Sequence, residues 1–507
     1  MLNNAIAIAD REVSRATIFS DAKRVMRGLT ALGVGDNDAV AVLMRNDFPV
    51  LEIYLAVAAL GAYVIPLNWH LKPQEIEYLL ADSRPKVLVA HSDLLASVRE
   101  AVPGDIQLLV VPTPLEAQAH YAVSDDLPKI PARAQAWSEW KAQFAPWEPP
   151  PKSPRGSIFY TSGTTGRPKG VKRHPMDAIQ SAAFNTLQRE LFGASPNMRA
   201  YCACPLCHGT GTSFVRLALR EADCLIVQSH FDPEHLLASI EREQVTHVVA
   251  VPTAFVRLLK LPESVRNRYD VSTLRYVVHT GAPCPPEIKK EMIGWFGPVI
   301  SEVYGSTEVG PLTLCSSRDS LGRPGTVGRA MAGAIIRILD SCGQECEPGE
   351  RGEICGRNSA IPEFDYMNLP GARRALDRGG LIATGDIGYL DEDGYLFLSD
   401  RRDDMVISGG VNVYPAEVER VLITMPEVVD CAVFGIPDAD YGESLAAAVV
   451  RAPGATLTEG SIREYLKARL ANYKVPRTVL FDDRLPREES GKISKRKLRA
   501  RYFQLTT

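Results

Sequence analysis

The sequence predicts an α/β fold: a large N-terminal domain with subdomains of mixed or parallel sheet and helices, followed by a small α+β C-terminal domain. Three observations predict it. The chain has 507 residues, whereas a single hydrophobic core stops growing at about 250–300 residues, so several structural units are needed. Short apolar runs alternate with helical periods through most of the chain, which is typical of βαβ units. The C-terminal segment follows a different pattern.

The alternation begins near residue 38. The predicted elements are, in order, strand 39–44, helix 49–62, strand 64–68, helix 73–83 and strand 86–90. The same alternation returns at 223–261 and 274–303, so parallel sheet is expected in these regions as well. The polar, proline-rich segment 145–157 is predicted to be a surface linker.

The C-terminal unit is predicted to be a separate α+β domain of about 100 residues, a usual domain size. A helix is expected to begin at Pro415, because proline suits the first helical position. The elements that follow are strand 428–437, strand 445–452, helix 461–470 and strand 478–483. The exposed, charged segment 400–404 is the predicted hinge, which divides the chain into domains 1–400 and 401–507.

Charge and apolar patterning exclude several function classes. The net charge of −4 provides no general attraction for nucleic acid or an anionic membrane. The longest apolar run, residues 54–67, is too short to cross a bilayer, which needs about 20 residues. The first residues contain no apolar signal core. We therefore expect no nucleic-acid partner, no integral membrane segment, a cytoplasmic protein and ten reduced cysteines.

The segment YTSGTTGRPKG, residues 160–170, predicts a site for a polyphosphate. Glycines allow backbone N–H groups to turn toward an anion, and hydroxyl groups add further donors. The spacing differs from that of the Walker A motif. A flexible linker is the alternative, but a linker needs neither the apolar lead-in nor the terminal Pro-Lys-Gly. The candidate phosphate ligands are Thr161, Ser162, Thr164, Thr165 and Lys169.

Four further segments follow in order: YGSTE (304–308), TGDIGYLDEDGYL (384–396), DRRDDMVISGGVNVYPAEVE (400–419) and PREESGKISKRKL (486–498). Together with the loop at 160–170, they resemble the motifs of the adenylate-forming superfamily, which includes acyl-CoA synthetases, peptide-synthetase adenylation domains and beetle luciferases. The resemblance covers nearly the whole chain. It implies ATP, Mg²⁺ and coenzyme A as cofactors and a small carboxylic acid as substrate.

The resemblance assigns roles in nucleotide binding to several motifs. Tyr304 would stack on adenine, Thr307 would bind phosphate and Glu308 would hold Mg²⁺. A carboxylate such as Asp386 can accept hydrogen bonds from both ribose hydroxyls. The remaining nucleotide contacts implied by the resemblance are Gly281, Ala282 and Pro283 on the other face of adenine, Gly305 and Ser306 in the motif, and Arg401 near ribose and phosphate.

The resemblance also implies which residues are catalytic and where the hinge between the domains lies. Lys492 would stabilise the charge that develops when the carboxylate attacks the α-phosphate. Thr164, Lys169 and Glu308 would contribute to the same step, and His208 would lie at the mouth of the acyl pocket. Asp403 is the expected pivot about which the small mobile domain swings between two poses, with Asp404 as the alternative.

Two further sets of residues are expected, one around coenzyme A and one around the carboxylic acid substrate. The expected coenzyme A contacts are Ser408, Gly409, Gly410, Tyr441, Tyr473 and Lys474. The expected acyl pocket consists of His208, Ser213, Phe214, Gly281, Val309, Gly310 and Leu312. This pocket contains no basic residue, which disfavours dicarboxylic acids.

The predicted function is therefore ATP-dependent ligation of a carboxylic acid to coenzyme A. An aromatic or hydroxycinnamic acid is preferred, and a medium- or long-chain fatty acid is the alternative. A carrier-protein-loading enzyme and a non-catalytic nucleotide sensor are the rival functions, and a homodimer remains open. The pattern Cys204-x-x-Cys207-His208 matches covalent haem attachment, but that chemistry belongs to exported proteins.

Overall fold

A computed structural model of the chain describes residues 2–123, 131–161, 168–282, 284–401, 404, 406–408, 411–438, 442–487 and 493–506. Its strands are β1 (Ala5–Ile8), β2 (Arg11–Ser14), β3 (Ala39–Leu43), β4 (Tyr63–Pro66), β5 (Val87–His91), β6 (Gln107–Val111), β7 (Ala134–Ala136), β8 (Phe159–Thr161), β9 (Lys169–Arg173), β10 (Arg199–Cys202), β11 (Cys224–Val227), β12 (His247–Ala250), β13 (Tyr276–His279), β14 (Ile300–Ser306), β15 (Gly310–Cys315), β16 (Arg329–Ala330), β17 (Ala334–Leu339), β18 (Gly352–Asn358), β19 (Phe364–Tyr366), β20 (Asp377–Arg378), β21 (Leu381–Leu390), β22 (Leu396–Arg401), β23 (Val406–Ser408), β24 (Val411–Val413), β25 (Val428–Asp438), β26 (Gly442–Arg451) and β27 (Thr478–Asp482).

The helices are α1 (Arg15–Ala31), α2 (Phe48–Ala59), α3 (Pro73–Ser83), α4 (Ser92–Val98), α5 (Leu115–His120), α6 (Trp137–Ala142), α7 (Ala178–Leu191), α8 (Gly209–Glu221), α9 (Pro233–Glu243), α10 (Pro252–Leu259), α11 (Glu263–Arg266), α12 (Pro286–Phe296), α13 (Ser317–Gly322), α14 (Pro415–Leu422), α15 (Glu459–Lys467) and α16 (Lys495–Thr506). Short 3₁₀ helices span Arg99–Ala101, Ala372–Leu376 and Asn472–Lys474. None of the helices in the described ranges is both long and apolar enough to cross a membrane.

The first five-stranded sheet confirms the predicted parallel βαβ units. Its strand order is β4-β3-β5-β6-β7, and β3 pairs in parallel with both β4 and β5. Every residue of β3 is buried, as expected for a strand covered on both faces. Helix α2 ends before residue 62, the predicted end, because Gly61 adopts a φ of +68° that does not continue a helix.

The nine-stranded sheet determines where the candidate site lies. Its order is β16-β15-β14-β13-β12-β10-β11-β1-β2, and β14, β13, β12, β10 and β11 pair in parallel. The carboxyl ends of these strands therefore lie along one edge of the sheet. The segments that contain His208, Gly281 and Tyr304 follow or complete β10, β13 and β14 at that edge. Ligands of open α/β sheets bind at such an edge.

Two antiparallel sheets adjoin this edge. In one, β9 pairs with β8 and β19, so the strand that follows the predicted phosphate loop lies beside residues 364–366. In the other, β21 pairs with β18, β20 and β22. The pairing of β21 with β22 makes Asp386 and Arg401 cross-strand partners.

The C-terminal segment forms the predicted α+β arrangement. Its sheet has the order β24-β23-β26-β25, and β27 pairs in parallel with β26. Alternate residues of β25 enter two different cores: Val433 packs with α14 and α15 residues, and Phe434 packs with Leu498 of α16. The sheet is thus covered by helices on both faces.

This unit contacts the large sheets through polar groups. The Lys497 ammonium lies 3.0 Å from the Glu75 carboxylate. Lys260 donates a 2.6 Å hydrogen bond to the Val428 carbonyl. Burial and the nearby guanidinium groups of Arg45, Arg484 and Arg487 lower the pKa of His70, so the segment that precedes residue 488 lies close to the loop after β4.

Candidate active site

Glu308 is the most extensively held carboxylate of the predicted site. Its Oε1 accepts hydrogen bonds from Thr161 Oγ1 at 3.0 Å and from the Tyr366 hydroxyl at 3.0 Å. Its Oε2 accepts a hydrogen bond from Ser306 Oγ at 3.1 Å. Because Thr161 ends β8 and Tyr366 ends β19, the structure brings the end of the phosphate loop to the YGSTE motif.

A second set of hydrogen bonds joins the YGSTE motif to the TGD motif. The Tyr304 hydroxyl donates to Asp386 Oδ2 at 2.8 Å and contacts Thr384 Oγ1 at 3.1 Å. Asp386 in turn lies opposite Arg401 in the β21–β22 pairing. Thr161, Glu308, Tyr304, Asp386 and the backbone of Arg401 therefore lie together and border one region, the candidate cleft, although they come from four separate segments of the chain.

Glycines shape the turn that carries Glu308. A side chain at Gly305 would place its Cβ 2.1 Å from the Gly310 carbonyl oxygen, so only glycine fits there. Gly310 itself adopts a φ of +74°, which favours glycine. The φ of Gly281 is +89°, and open space lies where its Cβ would project. Among the described residues, the backbone of residue 281 therefore leaves the space beside the end of β13 open.

The phosphate loop is described only at its two ends. Thr161 contacts Glu308, as given above, and Lys169 begins β9 with its Nζ 5.5 Å from the Tyr366 ring centroid. Ala282 follows Gly281 on the loop after β13, and Thr307 lies in the turn before Glu308. Five of the predicted nucleotide and catalytic residues lie outside the described residues: Ser162, Thr164, Thr165, Pro283 and Lys492.

His208 immediately precedes α8, on the loop that follows β10. Burial, with a smaller contribution from the nearby His70, lowers the pKa of the His208 imidazole to about 4. The ring is therefore neutral at neutral pH. The ring has no hydrogen-bond partner among the described residues.

The predicted acyl-pocket residues separate into two groups. Val309 and Leu312 are buried in the same apolar cluster as Tyr304. Phe214 is fully buried in a different cluster, where it packs against Phe192 with ring centroids 5.2 Å apart. Ser213, the preceding residue of α8, is partly accessible. The structure therefore does not bring Phe214 to Val309 and Leu312.

The predicted coenzyme A contacts all belong to the C-terminal unit. Ser408 ends β23, and the Tyr473 side chain is 54% exposed. Lys474 forms an ion pair with Glu417 at 2.6 Å. Gly409, Gly410 and Tyr441 lie outside the described residues, as does the hinge candidate Asp403; the alternative hinge residue Asp404 lies 3.8 Å from Lys495.

The cysteines of the haem-like pattern have other surroundings. Cys204 is buried and contacts the Val249 carbonyl, and burial raises its pKa well above the usual value. Burial also raises the pKa of Cys207 to about 12. These thiols are protonated at neutral pH and behave as small apolar side chains.

Three residues that contact the site were not predicted: Arg173, Tyr366 and Thr384. Thr384 is the first residue of the TGD motif, so the motif itself could have indicated it. Tyr366 and Arg173 lie in no recognised motif. Only the pairing of β9 with β19 brings Tyr366 next to the phosphate-loop strand.

A family model described as AMP-binding enzyme matches residues 3–361, and one described as the AMP-binding enzyme C-terminal domain matches residues 417–492. The fold and the site therefore define an adenylate-forming enzyme. The chain belongs to the AMP-binding enzyme family, and the prediction of an acyl-CoA synthetase is confirmed.

The individual relatives are named for different carboxylic acid substrates. The chain is 34% identical over 481 residues to a feruloyl-CoA synthase of Amycolatopsis sp, with 94% of this chain and 92% of that one covered. It is 32% identical over 498 residues to a long-chain-fatty-acid–CoA ligase of Mycobacterium tuberculosis, with 97% and 94% covered. The solved structure of o-succinylbenzoate CoA synthetase from Bacillus subtilis, in complex with its acyl-adenylate intermediate, matches with a TM-score of 0.80 at 28% identity, covering 98% of this chain and 95% of that one.

Proposed function

We propose that this protein activates a carboxylic acid with ATP as an acyl-adenylate and then transfers the acyl group to coenzyme A. The observation that carries the proposal is the pair of hydrogen-bonded contacts Thr161–Glu308 and Tyr304–Asp386. They bring the phosphate-loop, YGSTE and TGD segments together around one cleft, as a nucleotide with a triphosphate and a ribose requires.

The residues of the cleft fit a magnesium ion shared with phosphates. Mg²⁺ in such sites is usually bound through one or two carboxylates together with substrate phosphates. Glu308 supplies one partly accessible carboxylate, and three hydroxyl groups orient it. The described residues contain no group of three or more ligands for a protein-only metal site. When bound, the ion would neutralise charge on the phosphates.

In the proposed first step, the substrate carboxylate attacks the α-phosphorus of ATP and pyrophosphate leaves. Lys169 and the hydroxyl groups of residues 161–165 would bind the phosphate oxygens, and Asp386 would accept hydrogen bonds from the ribose. In the second step, the coenzyme A thiol attacks the acyl carbon and AMP leaves. The neutral His208 ring, which makes no hydrogen bond with the described residues, would turn aside to admit the thiol.

We further propose an aromatic or hydroxycinnamic acid as the substrate. The similarity to a feruloyl-CoA synthase supports this class. The fatty-acid alternative has support from the mycobacterial relative.

A coupled assay of AMP and pyrophosphate release over ferulate, p-coumarate, cinnamate, benzoate, octanoate and palmitate would test the proposal. We expect pyrophosphate release with the hydroxycinnamates, kcat/KM at least tenfold higher than with palmitate, and AMP release that requires coenzyme A. AMP release without coenzyme A would indicate the carrier-loading alternative. If no acid supports pyrophosphate release, the ligase proposal is wrong.

Replacing Asp386 with asparagine should raise KM for ATP by about tenfold, the scale for weakening a hydrogen bond to a charged acceptor. In the wild-type protein, KM for 2′-deoxy-ATP should exceed KM for ATP by a similar factor. In the variant this difference in KM should be much smaller, because its ribose contact is already weakened. Steady-state kinetics with both nucleotides would measure this. An equal penalty for 2′-deoxy-ATP in both proteins would argue against ribose binding by Asp386.

A further inference from the structure

Arg173, the last residue of β9, makes an unusual set of contacts with the turn that carries Glu308. Its guanidinium donates hydrogen bonds to the carbonyl oxygens of Thr307 at 2.5 Å and Glu308 at 3.2 Å. Another guanidinium nitrogen donates to the Pro362 carbonyl at 2.7 Å. One side chain thus joins the YGSTE turn to the loop before β19.

The charge of Arg173 is partly buried and forms no ion pair with any carboxylate in the described ranges. Burial lowers the pKa of Arg173 to about 10, while the carboxylates of Glu308 and Glu363 oppose that shift. The guanidinium is therefore still charged at neutral pH. Burying a charge is costly unless hydrogen bonds compensate it, and here backbone carbonyls supply them.

The turn itself depends on polar contacts from two sides. Ser306 Oγ accepts hydrogen bonds from the backbone N–H groups of Glu308 at 3.2 Å and Val309 at 3.4 Å. Arg173 binds the carbonyls of the same turn. A cavity of about 210 Å³, lined by Arg173, Glu308, Val309 and Ile361 among others, lies alongside. The guanidinium therefore contacts the turn on the side where the cavity lies.

We propose that Arg173 is a positioning residue that fixes the Thr307–Glu308 backbone and so directs the Glu308 carboxylate toward the nucleotide cleft. This inference rests on the proposed function for its kinetic consequence. Arg173 would not contact the substrate. It would act by holding the carboxylate in the orientation that Thr161 and Tyr366 also select.

The test compares Arg173→Met and Arg173→Lys with Arg357→Met. Arg357 lines the same cavity, but its side chain makes no hydrogen bond or ion pair within the described part of the chain, so its variant is a matched control. Pyrophosphate release is measured with p-coumarate or another accepted acid while Mg²⁺ is varied at fixed ATP. For Arg173→Met we expect an approximately tenfold higher half-saturating Mg²⁺ concentration, the scale for losing one hydrogen bond to a charged group, with KM for the acid changed less than twofold.

Arg173→Lys should recover part of this loss, because it keeps the charge but not the forked donors. Hydrogen–deuterium exchange of the peptide that contains residues 304–310 provides a readout independent of turnover. Exchange should rise in Arg173→Met and remain at the wild-type rate in Arg357→Met.

The inference is overturned if Arg173→Met only lowers the melting temperature while the Mg²⁺ dependence and the exchange of residues 304–310 stay unchanged. Equal effects in Arg357→Met would overturn it as well. A wild-type protein that releases no pyrophosphate with any acid would instead contradict the proposed ligase function, and the exchange experiment would still decide whether Arg173 holds the turn.

Discussion

Lys492→Ala is expected to lower the rate of acyl-adenylate formation by about two to three orders of magnitude, the scale for losing one preorganised charge donor in a transition state. The ammonium group of Lys492 is proposed to bridge the attacking carboxylate and the α-phosphate as negative charge builds on the phosphate oxygens. Only the first half-reaction develops that charge between carboxylate and phosphorus. Transfer of a supplied acyl-adenylate to coenzyme A should therefore remain near the wild-type rate.

Single-turnover measurements of both half-reactions would check this separation. Arg496→Ala is the matched control, because Arg496 is an exposed cation in the same basic segment with no ion pair among the described residues. The control should keep both rates within about twofold, as expected for a surface substitution. Equal losses in the two half-reactions of Lys492→Ala would refute the assigned role.

Glu308→Gln is expected to lower kcat/KM for Mg·ATP by about two orders of magnitude, since it removes the carboxylate charge that is proposed to bind Mg²⁺ while keeping the side-chain shape. Thr161, Ser306 and Tyr366 all donate hydrogen bonds to the carboxylate, and an amide can accept on only one side. The loss should depend on Mg²⁺ concentration. It should become smaller as Mg²⁺ is raised well above the wild-type requirement.

Steady-state kinetics over a range of Mg²⁺ concentrations would measure this effect. Glu363→Gln serves as the control, because Glu363 lies on the same cavity and influences Arg173 but pairs with Arg373 at the surface. Its kcat/KM should change little. If Glu308→Gln lost activity to the same extent at every Mg²⁺ concentration, Glu308 would have a structural role and not the proposed metal role.

The sequence alone predicted much of the fold, because its regular elements are encoded locally. The apolar run of residues 39–44 marks the observed strand Ala39–Leu43, and the proline at 415 marks the first residue of α14. The alternation of strands and helices predicted a parallel sheet, and the parallel pairing of β3 with β4 and β5 confirms this prediction. The five motifs identified the family without any structural information.

The sequence also supplied the chemistry of the cleft but not its hydrogen bonds. Glu308 was predicted from its motif, whereas its partner Tyr366 lies 58 residues further along the chain. Tyr304 and Asp386 were both predicted, yet their contact spans 82 residues. Local patterns contain no information on such distances, because the contacts arise only after separate sheets pack together.

The sequence by itself thus determined which residue types are present for nucleotide chemistry, since glycine, hydroxyl and carboxylate groups at fixed spacing have few other uses. The tertiary structure alone decided that Arg173 holds the Glu308 turn and that Phe214 packs in the core rather than beside Val309. The physical reason is that buried charges and apolar side chains take their partners from whichever element the packing places beside them. That placement depends on the pairing of β9 with β19 and of β14 with β15, which no single segment specifies.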